Sequence, residues 1–164
     1  MIKRLCLICI LFLFILVSKS FAAGTVTQTL DKYPNINMQV LTFSWVGDAA
    51  NGTVPSTATS TAITTKIAGW YVYSIETNPG SPAPTAAYDI VITNAEELDI
   101  AGGTLMNRHG INTERIIPKI DTANAIFGSV LIDSALTLTI TNQSVNSARG
   151  TVKLIMSNQA VMTK

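Results

Sequence analysis

The stretch Leu136-Thr137-Leu138-Thr139-Ile140-Thr141 alternates large aliphatic groups with threonines at every position. Successive side chains of a β-strand point to opposite faces. A period of two therefore puts Leu136, Leu138 and Ile140 on a buried face and a threonine ladder on the other. A helix would scatter the same residues around its circumference. Threonine also fits a pleated outer surface, because its β-branch is at home there. The segment predicts a strand with one face in a core.

Working outward, the same period recurs. Leu41-Thr42-Phe43-Ser44-Trp45 sets large apolar groups against hydroxyls. Tyr88-Asp89-Ile90-Val91-Ile92-Thr93 turns Tyr88, Ile90 and Ile92 inward, and Thr151-Val152-Lys153-Leu154-Ile155-Met156 does so with Val152, Leu154 and Met156. Weaker strands are expected at Thr25–Leu30, Ile63–Ile75 and Ile126–Asp133, with an exposed edge strand in the biased run Ser56–Thr65. Ile67 to Ile75 is apolar or aromatic on both faces, which predicts either a central strand or a face presented to a partner. Turn chemistry at Asp48–Gly52 and Asn78–Pro84 separates the runs, and Asn142–Gly150 reads as a hairpin joining the last two strands. The stretch at 102–124, Gly102 to Asn124, lacks alternation and reads as a long loop. No long segment holds a helical period. The expectation is an all-β chain, a single β-sandwich of about 7–8 mostly antiparallel strands.

The N-terminus has a different character. Lys3 and Arg4 precede an apolar run from Leu5 to Val17, and Ser20 and Ala22 place small residues before Ala23. This is the three-part pattern of an export signal, and the run falls short of the ~20 apolar residues that span a bilayer. Residues 1–23 therefore read as a cleavable signal peptide in helical form, and 24–164 as the β domain. The expected location is the periplasm or the exterior, with membrane contact only during export. Cys6 and Cys9, the only cysteines, lie within the signal. The mature chain would then have no disulfide, thiol nucleophile or zinc thiolate site. Lys3, Arg4 and Lys19 leave as well, so the 11 basic residues fall to 8 against 10 acidic ones, a net charge of −2. That scattered charge argues against a nucleic-acid partner.

Candidate chemistry is sparse. His109 is the only histidine and sits in the polar run Asn107-Arg108-His109-Gly110; no Gly-x-Ser-x-Gly elbow accompanies it. Glu96, Glu97 and Asp99, near Asn94, form the densest acidic group and invite a calcium reading, but their spacing is not that of an EF-hand loop. Trp45, Trp70, Tyr71, Tyr73 and Tyr88 could line a sugar-stacking platform or fill a core. The inward phase of Trp45 and Tyr88 favours the core for those two, leaving Tyr71 and Tyr73 as surface candidates. Asn51-Gly-Thr53 and Asn142-Gln-Ser144 match the N-glycosylation pattern at a rate expected by chance. The residues singled out for a partner-binding surface are Tyr71, Tyr73, Asn107, Arg108 and His109. No catalytic residue, metal site or cofactor is expected.

From Asn78 to Arg108 the chain carries Asn78-Pro-Gly-Ser, Ala83-Pro-Thr, Tyr88-Asp-Ile-Val-Ile-Thr, Leu98-Asp-Ile-Ala-Gly-Gly103 and Met106-Asn-Arg108 in that order. This series resembles small tailed-bacteriophage virion-type proteins of the capsid or decoration kind. Leu41–Asp48, Leu136–Asn142 and Arg149–Ile155 resemble parts of the same family in order, so the likeness spans roughly residues 38 to 156. It implies a non-enzymatic structural protein that packs against other virion proteins, or against copies of itself. Two features depart from it: the aromatic residues before Asn78, and a signal peptide on a protein whose relatives assemble in the cytoplasm. The alternative that keeps the signal is an exported surface or periplasmic binding or adhesion module.

Overall fold

The computed structural model describes residues 22–159. The stretch read as a signal peptide lies outside them, apart from Ala22 and Ala23. The chain forms β1 (Thr25–Tyr33), β2 (Met38–Val46), β3 (Thr57–Ala58), helix α1 (Thr61–Ile67), β4 (Tyr71–Pro79), β5 (Asp89–Thr93), β6 (Glu114–Ile116), β7 (Lys119–Asp121), β8 (Ile126–Phe127), β9 (Val130–Leu131), β10 (Thr137–Thr141) and β11 (Arg149–Ser157). A six-stranded sheet runs β1-β2-β11-β4-β6, with β9 also on β4; a three-stranded sheet runs β3-β10-β5; β7 and β8 form a hairpin. Every pairing among the described residues is antiparallel.

The alternation chooses the buried faces as read from the sequence. Leu41, Phe43 and Trp45 of β2, Val152, Leu154 and Met156 of β11, and Tyr88, Ile90, Ile92, Leu136, Leu138 and Ile140 around β5 and β10 are all buried. They belong to one hydrophobic cluster fed by both larger sheets. Each such side chain contributes about 1.5–3 kcal/mol on leaving water. Trp45 and Tyr88 meet in it with ring centroids 5.9 Å apart.

Five expectations need correction. The segment Ile63–Ile75 is not one strand: its first part is α1, and β4 starts only at Tyr71. Threonines are weak helix formers, so burial and capping make this helix. Ile67 is fully buried, Ile63 packs on the core, and the Ile63 N–H donates to the Ser60 hydroxyl at 3.4 Å. The run Ser56–Thr65 accordingly gives only the short edge strand β3 before the helix.

The last two long strands do not form a hairpin. β10 pairs with β5 and β3, β11 with β2 and β4. The chain crosses between sheets at Asn142, which takes φ 56°. Gln143 holds the crossing: it donates to Gly52 O (2.7 Å) and Val145 O (2.9 Å) and accepts from Val145 N (2.9 Å) and Thr85 N (3.1 Å). Ile126–Asp133 divides into β8 and β9, which pair with different strands. The long loop at 102–124 contains β6 and β7.

Candidate functional site

Because the odd residues of β2 point into the core, its even residues form the outer face of the six-stranded sheet. Register then builds that face in rows. Thr42 lies beside Lys153, Lys153 beside Glu76, and Glu76 beside Arg115. Arg115 Nη2 is 2.6 Å from Glu76 Oε2, and Lys153 Nζ is 3.1 Å from Oε1. The Arg115 hydrogen bond, aided by Lys153 and opposed by burial, holds the Glu76 carboxyl below its ordinary range.

The next row is apolar. Val40 pairs with Ile155, and Ile155 with Ser74. Between Ser74 and Val72 the register slips, so that Tyr73 is the additional residue of a β-bulge. A bulge re-aims a side chain away from the regular ladder, and Tyr73 stands 39% exposed. Opposite it, the β1–β2 connection brings up Tyr33 and Ile36, 48% and 62% exposed. Pro34–Ile36 form a 3₁₀ turn that ends on Asn37 at φ 49°, and this tight turn holds Ile36 at the rim. Tyr33, Ile36, Met38, Val40, Tyr73 and Ile155, with Ser74 and Arg115 at one side, line an open, shallow concavity of about 330 Å³. Past Ile36, Met38 and Tyr73 lies a second hollow, edged by Asn37, Ser157, Asn158 and Gln159.

The five residues singled out from the sequence do not converge. Tyr73 is at the concavity. Tyr71 is half-buried, paired with Ser157 on one side and Leu131 on the other. Asn107, Arg108 and His109 lie near the far end of the β4–β6 pairing, where Glu114 sits opposite Thr77. Thr77 lies four residue steps along β4 from Tyr73, about 13 Å. Several of the polar groups of Asn107, Arg108 and His109 are bonded within the chain, although Asn107 and His109 are exposed. Asn107 N–H donates to buried Asp89 (2.7 Å), Arg108 donates to Met106 O (3.3 and 3.1 Å) and lies 3.6 Å from Glu114, and His109 N–H donates to Glu114 (2.7 Å). His109 Nδ1 accepts from both Ile111 N and Asn112 N at 3.0 Å, so its lone pair closes a turn. Tyr88, beneath this loop, has its hydroxyl pushed up to about 12, first by burial and then by Glu114.

The acidic turn also closes on backbone. Asn94 Oδ1 accepts from Glu96 and Leu98 N–H, and Asp99 uses both oxygens on Ala101 and Gly103 N–H. Among the described residues no group of three or more metal-ligating side chains forms, and no helix is long and apolar enough to cross a membrane.

Tyr33, Ile36 and Met38 were not among the residues read as a surface. The available signal was local: a Tyr-Pro-Asn-Ile turn that carries two large apolar side chains where polar ones are usual. What the concavity offers chemically is contact, through isoleucines and through tyrosines, methionine and one arginine, the last three being residue types enriched at protein interfaces. No protein-family model, curated protein or solved structure matches the chain.

Proposed function

We propose that this chain is a non-enzymatic structural and interaction protein, of the kind its resemblance to phage virion proteins implies, and that it docks other proteins through the Tyr33–Tyr73 concavity. The observation that carries this reading is the bulge at Tyr73, which turns an aromatic ring outward beside Tyr33, Ile36 and Met38. We read the two larger sheets as the layers of a single β-sandwich, since both feed one core, and residues 1–23 as its export signal. The partners are virion or surface proteins, in many copies, with no cofactor needed. The test is quantitative mass spectrometry of purified particles from cells producing the chain. It should appear at a fixed copy ratio, and Tyr33→Ser/Tyr73→Ser should lower that ratio at least about fivefold; a chain found only as free protein would refute the reading.

A second reading has its own support. The amide-bearing rim of Asn37, Asn158 and Gln159 beside exposed tyrosines is also what a glycan-binding adhesion module presents. Binding on a glycan array that is lost in the Tyr73→Ala variant would favour it, and silence from the wild type would remove it.

A further inference from the structure

The two edges of the six-stranded sheet are finished differently. On one, β4 is covered by β6 at Ile75–Thr77 and by β9 at Tyr71–Val72. On the other, β1 pairs with β2 over nine consecutive residues without a register shift, and among the described residues no strand takes its outer side. Proteins usually blunt such an edge with proline, a bulge or charge. From Thr25 to Leu30 there is none of these; Asp31, Lys32 and Pro34 come only at its end.

The strand is close to a palindrome about Gln28. Outward from that residue come Thr27 and Thr29, Val26 and Leu30, then Thr25 and Asp31. Thr25, Thr27 and Thr29 share the outer face with Ser44 and Thr42, while Val26 and Leu30 face inward and pack on the core. Gln28 is fixed: it donates to Ala58 O at 2.7 Å and accepts from Ser60 N at 3.1 Å.

We propose that β1 pairs antiparallel with β1 of a second copy of this chain about a two-fold axis at Gln28, joining two sheets into one. The proposal rests on reading the chain as an interaction protein and names one of its partners. Complementarity selects both occupant and register. A one-residue slip would set inward side chains against outward ones. Registers centred on Asp31 or Lys32 would stack like charges, which destabilises a cross-strand pair. Centring on Gln28 sets Thr27 against Thr29, Val26 against Leu30, and Thr25 against Asp31, whose carboxylate accepts from the threonine hydroxyl. A two-fold contact of this kind uses the same patch on both copies and closes as a dimer.

Sedimentation of the purified protein over a concentration series tests the pairing. The wild type should form a dimer. Thr27→Lys/Thr29→Lys opposes lysines across the axis and should weaken it at least about tenfold, whereas Thr27→Lys/Thr29→Glu opposes unlike charges and should keep it. Should either variant fold poorly, amide exchange on the wild type decides instead: protection within Val26–Leu30 should rise with concentration. A wild type that stays monomeric, or a lysine pair that dimerises as well as wild type, overturns the proposal. Tyr33→Ser/Tyr73→Ser should leave the dimer intact, so failure at the edge is separable from failure at the concavity.

Discussion

Gly150 has no side chain because Trp45 occupies the space. A Cβ there would sit 2.6 Å from Trp45 Cζ2 and 2.8 Å from Cε2, and the indole is packed against Tyr88 within the core. Overpacking of this kind costs about 1–3 kcal/mol, so Gly150→Ala should lower stability by about 2 kcal/mol in denaturant melts. Trp45 Nε1 is also buried without a partner, so Trp45→Phe removes bulk and an unmet donor together. The double variant should then be more stable than the two single effects added, because the sites touch; strict additivity would contradict the contact. Tyr73 was legible from the sequence as an exposed aromatic. The bulge that aims it was not, since a register slip depends on the partner strand and leaves no mark on alternation.

At the scale of elements, alternation told which face of a strand is buried but not which strand lies beside it. β10 and β11 each show one apolar face, as neighbours in a hairpin would, yet they lie in different sheets. What decides between the two is the clamp at Gln143, whose bonds reach Gly52 and Thr85, far away in the chain. Helix α1 escaped for a related reason: with Thr61, Thr64 and Thr65 its local preference is β-like, and the burial of Ile67 overrides it. Ile67→Ala should therefore destabilise the whole domain by about 2–5 kcal/mol while Lys66→Ala, on the exposed side, changes little. Equal, small effects on the melting temperature would mean that the helix is not held by the core.

For the whole molecule, the outer face divides into a charged row and an apolar row, and the charged row makes stability depend on acid. The Glu76 carboxyl is held below its usual range by Arg115 and Lys153. A depressed folded-state value means that the ionised form favours folding: the contribution is complete above the unfolded value of about 4.3 and is lost as pH falls through the folded one. Arg115 is well exposed, so salt should screen its share. Thermal melts between about pH 6 and 3 should fall less steeply for Glu76→Gln than for wild type; parallel curves would exclude the triad as a source of acid sensitivity.

The apolar row bears on the central claim, that the Tyr33–Tyr73 concavity is a protein contact. Hydroxyl-radical footprinting of the free chain and of the particle-bound chain measures this directly. Tyr33, Met38 and Tyr73 should react readily in the free chain and be protected in the bound one, with His109 unchanged. Equal reactivity of Tyr33 and Tyr73 in both states would contradict the account.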